Sequence, residues 1–96
     1  MDNLQEFDRK HIWHPFTSLE AVEDPILIEK AEGIYLYSHD GRKIIDAVSS
    51  WWVNLHGHSH PKIAKAIADQ GNVLEHGIFA GFTHKPAIQL AQNLLT

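Results

Sequence analysis

From Pro25 to Ala47 the apolar residues come in short runs, and from Pro61 onward they recur every third or fourth position. The first pattern predicts strands and the second predicts helices. The β-like runs are Ile26-Leu27-Ile28-Glu29-Lys30, Ile34-Tyr35-Leu36-Tyr37-Ser38 and Lys43-Ile44-Ile45-Asp46-Ala47. Ala31-Glu32-Gly33 separates the first two, and His39-Asp40-Gly41-Arg42 separates the second two, with an Asp-Gly pair that tolerates positive φ. A three-stranded antiparallel meander is expected, too small to stand without a helix or a second sheet over one face. Pro61 suits a first helical turn, and Ile63, Ile67 and Leu74 then fall at helical spacing, so a helix is expected from about Pro61 to about Leu74. Gly71 weakens its last turn. A second helix is expected after Thr83 as N-cap, with Pro86 in its first turn and two adjacent apolar rows, Ile88, Ala91, Leu95 and Ala87, Leu90, Leu94.

Before these elements lies an arm, residues 1–24, that carries Phe7, Ile12, Trp13 and Phe16 and in which Pro15 interrupts any helix begun at Asp8. Between meander and helix lies Ser49-Ser50-Trp51-Trp52-Val53-Asn54-Leu55-His56-Gly57-His58-Ser59-His60-Pro61, which holds two of the three tryptophans and three of the eight histidines. On extended backbone two adjacent indoles leave opposite faces, so one of them has to face something other than its own core. Aromatic walls beside a glycine-bearing loop line small-molecule pockets, which makes Trp51, Trp52 and Phe16 the candidate binding residues, with core packing as the competing role.

The 96 residues, 44% hydrophobic and 21% charged, have the composition of a globular domain or a piece of one. A formal charge of −4 gives no basic stripe for nucleic acid or an anionic membrane, so small molecules or protein surfaces are the expected partners. The absence of cysteine excludes a disulfide framework and thiolate chemistry and suits a reducing compartment. No stretch approaches the ~20 apolar residues that span a bilayer. The acidic start has no leader character, so a cytoplasmic location is the expectation. His56, His58 and His60 alternate and would share one face of a strand as a metal set, but Gly57 and Pro61 argue against regular strand there and zinc sites commonly draw on cysteine. No metal site is assigned. Asp40 and Asp46 read as turn and strand-end residues, Ser49 and Ser50 lack an esterase frame, and the lysines sit in polar contexts where a solvated ammonium is expected.

His11-Ile12-Trp13-His14-Pro15-Phe16-Thr17-Ser18, Asp40-Gly41-Arg42-Lys43, Ser49-Ser50-Trp51-Trp52, His56-Gly57-His58-Ser59-His60-Pro61 and Phe82-Thr83-His84-Lys85-Pro86-Ala87 follow one another in an order that resembles the N-terminal part of class-III, fold-type-I pyridoxal-phosphate aminotransferases. The meander and the Gly-x-x-His-Pro step are shared across that family. His-Ile-Trp-His-Pro together with Ser-Ser-Trp-Trp is sharper, and resembles the branch that serves biotin biosynthesis. The resemblance implies an α+β piece of a cytoplasmic homodimer that uses pyridoxal 5'-phosphate to move an amino group from S-adenosylmethionine to 7-keto-8-aminopelargonate, giving 7,8-diaminopelargonate. It also implies that Trp51, with Trp52 beside it, lines the substrate pocket, and that Phe16 adds apolar contact without the hydroxyl that relatives with Tyr have there. It divides the chain into the arm 1–24, a small-domain portion 25–82, and a helix 83–96 leading into a large cofactor-binding domain. The catalytic lysine and the cofactor-binding residues are expected outside these 96 residues. The chain is thus expected to be a fragment ending in mid-domain and catalytically inert alone. The alternatives are another class-III aminotransferase, or a histidine-rich metal-binding or interaction module.

Overall fold

The computed structural model describes residues 3–20 and 23–96. Residues 1, 2, 21 and 22, which belong to the arm expected over 1–24, lie outside the described residues. The chain divides into two compact units, Met1–His60 and Pro61–Thr96.

The arm is not free of regular structure, because it begins with helix α1, Leu4–His11. Asn3 caps it through a side-chain oxygen that accepts from the Glu6 N–H at 3.2 Å, and Arg9, Lys10 and His11 place positive charge on its last turn. The helix starts earlier than the sequence pattern suggested because the cap precedes the aromatic residues, and it ends before Pro15. The arm is tied back to the residues that lead into the sheet. Gln5 Nε2 donates to the Pro25 carbonyl at 2.7 Å, and Arg9 pairs with Asp24 at 2.8 Å.

The meander has the expected order β1–β2–β3, all antiparallel: β1 Ile28–Glu32, β2 Tyr35–Ser38 and β3 Lys43–Ile45. The first strand lies two residues later than its apolar run, since Glu32 pairs with Tyr35 and the reversal tightens onto Gly33 and Ile34, with Gly33 at φ +58. The register shifts between Ile28 and Lys30 as a bulge. The β2–β3 reversal is closed by Ser38, whose hydroxyl binds Asp40 and accepts from the Arg42 N–H at 3.0 Å. Those contacts, with the Arg42 guanidinium, hold the Asp40 carboxyl down at about 2. Within this unit the strands pair with one another, and among the described residues no helix packs over either face of the sheet.

A second backbone clasp joins the hairpin to the segment before Pro61. Gly33 N–H donates to the His58 carbonyl at 3.1 Å and His58 N–H returns to the Gly33 carbonyl at 2.8 Å. Gly57, at φ +85, lets the chains approach so closely that a Cβ there would stand 3.2 Å from Gly33 Cα. Gly57→Ala should therefore open the clasp and lower stability by ~1–3 kcal/mol, readable as a reduced urea midpoint of the complete protein.

In the second unit α3 spans Pro61–Val73 and α4 spans Lys85–Leu95. The cap of α4 is His84 and not Thr83, its Nδ1 accepting from the Ala87 N–H at 3.4 Å, so that Lys85 and Pro86 open the first turn. The two helices do not pack against each other, and the apolar residues Ile63, Ile67, Ile88, Leu90, Leu94 and Leu95 are all exposed. Among the described residues of the whole chain no hydrophobic side chain is buried, and Ser38 alone is buried among the polar ones. An α+β arrangement is present, with two more helical elements than expected and no apolar core of its own.

Candidate functional site

Just after β3 the backbone does something L-residues avoid. Ser49, Ser50, Trp51 and Trp52 have φ of 50, 46, 64 and 70, and form α2, Ser49–Trp52, a single left-handed turn. The segment is neither extended nor an irregular loop. It closes through Trp52 N–H to the Val48 carbonyl at 3.1 Å and Val53 N–H to the Ser49 carbonyl at 3.0 Å. A left-handed residue with a Cβ costs ~1–2 kcal/mol, so four in a row cost about 4–8 kcal/mol that other contacts have to offset.

Asp46 supplies them. Its backbone N–H donates to the Ile34 carbonyl at 2.8 Å, which roots it in the sheet. Its Oδ1 accepts from the Ser50 N–H at 2.9 Å, its Oδ2 accepts from the Ser50 hydroxyl at 2.7 Å, and His58 Nε2 lies 2.6 Å from the same Oδ2. The Ser50 hydroxyl and N–H, followed by the His58 ring, hold the Asp46 carboxyl at about 2, so it is ionised throughout the neutral range. The pair is nearly enclosed, with Asp46 and His58 side chains 5% and 13% exposed. The hollow beside it, lined by Gly33, Ile34, Asp46, Asn54, Leu55 and His58 among others, holds about 130 Å³. That is room for a few waters and too little for a metabolite, which takes roughly 300 Å³ or more.

The turn carries Trp51 to Phe16. Their ring centroids are 5.3 Å apart at an interplanar angle of 71°, an edge-to-face contact between residues distant in sequence. Phe16 also has left-handed backbone, at φ 53. Neither ring is buried in the chain: Phe16 is 94% exposed and Trp51 54%. Backbone strain of this kind persists where surrounding contacts over-determine it, and it clusters at binding and switch sites. Trp52 is not brought into the pair; it stands 81% exposed and makes no ring contact among the described residues. Of the three candidates, the structure thus unites Phe16 and Trp51 and leaves Trp52 beside them.

The alternating histidines do not act together. His58 is committed to Asp46, while His56 and His60 stack edge to face with centroids 6.4 Å apart. Among the described residues no three His, Asp or Glu side chains gather as a metal ligand set. In the sequence Asp46 reads as a strand-end residue, Ser50 as a serine without an esterase frame and His58 as part of a metal set that is not assigned, and nothing there joins the three, although the Asp-x-x-x-Ser spacing and the histidine after Gly57 are visible in it.

Known proteins resemble the chain over most of its length. The family described as aminotransferase class-III matches residues 18–96. Adenosylmethionine-8-amino-7-oxononanoate aminotransferase of Synechococcus elongatus is 54% identical over 84 residues, which cover 88% of this chain and 20% of that protein. The crystal structure of the enzyme of that name from Methanocaldococcus jannaschii superposes with a TM-score of 0.90 at 39% identity, over 96% of this chain and 22% of that one. An omega transaminase from Pseudomonas jessenii, solved in complex with PMP, superposes with a TM-score of 0.89 at 33% identity, over 97% and 21%. The chain spans about a fifth of the length of the curated relatives it matches. The family match over most of the sequence, and the agreement in fold, place the chain among the class-III aminotransferases.

Proposed function

We propose that this chain supplies one wall of the acceptor site in the cytoplasmic, homodimeric aminotransferase of biotin biosynthesis that converts 7-keto-8-aminopelargonate to 7,8-diaminopelargonate with S-adenosylmethionine as amino donor. The observation that carries the reading is the Phe16–Trp51 contact, an exposed aromatic corner built on strained backbone. A long aliphatic keto acid lies well along an indole face, while the indole N–H offers a polar handle. Relatives over most of this chain bear the name of that enzyme, which supports the acceptor's identity. Trp52, next to the corner, is proposed as a secondary contact.

Class-III aminotransferases use pyridoxal phosphate, which serves as the electron sink for amino transfer when bound. The residues of this chain do not fit that group by themselves: all six lysines are exposed, so none is the enclosed amine an imine to the cofactor needs, and the enclosed carboxylate Asp46 is occupied by Ser50 and His58. No chemical step is assigned to this chain. Its part is to bind and orient the acceptor.

A second reading, an aminotransferase that takes other amines and ketones, has the likeness to the Pseudomonas jessenii omega transaminase in its favour. Assaying the complete protein with S-adenosylmethionine and 7-keto-8-aminopelargonate decides between them. Formation of 7,8-diaminopelargonate is expected, and turnover confined to other amine and ketone pairs would overturn the first reading in favour of the second.

A further inference from the structure

The bonds of the Asp46 carboxylate go to Ser50 and His58, and Ser50 lies in the turn that carries Trp51 to Phe16. The four left-handed residues form only one turn, and the backbone bonds inside it are those any turn of that size makes. What distinguishes this one is a carboxylate anchored in the sheet by its own N–H and gripping Ser50 at two points, in the middle of the strained run. His58 meets the same carboxylate oxygen that takes the Ser50 hydroxyl, and the reciprocal Gly33–His58 backbone bonds fix that histidine in turn. The Asp46 side chain is 5% exposed and both its oxygens are engaged by Ser50 and His58, which makes it a structural contact and not a ligand contact.

We infer that Asp46, backed by His58 and acting through Ser50, is a positioning residue: it holds the left-handed turn that sets the Trp51 indole against Phe16, and so tunes acceptor affinity without touching the acceptor. This rests on the reading of Trp51 and Phe16 as the acceptor wall.

The test is a double-mutant cycle in the complete aminotransferase, combined with a direct view of the indole. With 5-fluorotryptophan incorporated, the Trp51 resonance is assigned by its loss in Trp51→Phe. Asp46→Ala should shift or broaden that resonance, raise the KM for the keto-acid acceptor about ten-fold, and change KM by less than about two-fold when Trp51 is already Ala. Ser49→Gly removes the steric cost of a left-handed residue and breaks no side-chain bond of the carboxylate, so adding it to Asp46→Ala should recover part of the lost affinity. If Asp46→Ala does not yield folded protein, Ser50→Ala carries the same cycle: it deletes the hydroxyl bond and leaves the Ser50 N–H bond, with a smaller effect of the same sign expected. An unmoved Trp51 resonance in the Asp46 or Ser50 variant would overturn the inference, as would an equal rise in KM with and without Trp51. A moved resonance together with an unchanged KM for Trp51→Ala would instead overturn the reading of Trp51 as a substrate wall, and the claim about affinity with it.

Discussion

Trp51→Ala in the complete enzyme should raise the KM for the keto-acid acceptor about thirty-fold and leave kcat within a few-fold. The magnitude follows from what an indole face covers. Each methylene removed from water contributes roughly 0.8 kcal/mol when fully buried, and one wall shields only part of each, so a chain lying along Trp51 loses about 2 kcal/mol when the ring is cut away. Loss of binding that is shared by the bound state and the transition state appears in KM and not in kcat. Trp51→Phe should recover most of the affinity, since it keeps an apolar face and gives up only area and the N–H. Phe16→Ala should cost less than Trp51→Ala, because the phenyl is the smaller ring and is the more exposed of the two. Steady-state kinetics with varied acceptor measures all three. A KM for Trp51→Ala that matches the unsubstituted enzyme would show that the acceptor lies elsewhere.

The purified 96-residue chain should show no cooperative unfolding transition. A domain is held together by apolar burial that offsets roughly 1–2 kcal/mol of backbone entropy per residue. Among the described residues here no hydrophobic side chain is buried, and groups as large as Phe16, Trp52, Leu55, Val73 and Leu95 are more than three-quarters exposed. The hydrogen bonds of one small sheet and four helical elements cannot make up that difference. Calorimetry should therefore give no heat-absorption peak, amide exchange should show little protection outside the β1–β2–β3 hydrogen bonds, and an apolar dye should bind strongly. A sharp calorimetric peak with two-state character would mean that this segment buries a core in solution that the structure does not contain.

Much of the fold is legible residue by residue. The Asp40-Gly41 pair marks a reversal because both residues tolerate left-handed backbone, and Pro61 and Pro86 mark helix starts because neither needs an N–H there. The errors are local and share one cause, which is that a side chain chooses its partner in space. Helix α1 was hidden because its cap, Asn3, precedes the arm's aromatic residues, and His84 displaced Thr83 as a cap by offering a ring nitrogen where a hydroxyl was expected. The first strand moved because the hairpin closes on Gly33, whose backbone also clasps His58. Apolar rows on α3 and α4 were readable as burial faces, and in this chain they stand exposed. Nothing in the periodicity of a helix says which surface covers it.

The sequence by itself determined the three strands and their order, the helices that begin near Pro61 and Pro86, the family, and the three aromatic candidates Phe16, Trp51 and Trp52. Each of these rests on local period, on turn chemistry or on motifs read in order. Only the tertiary structure decided that Ser49–Trp52 winds left-handed, that Trp51 and not Trp52 meets Phe16, and that Asp46 and His58 hold the turn in place. The reason is physical. A left-handed run of L-residues is unfavourable in every local sense, so it exists only where contacts from distant parts of the chain outweigh its cost, and those contacts are visible only once the chain has folded.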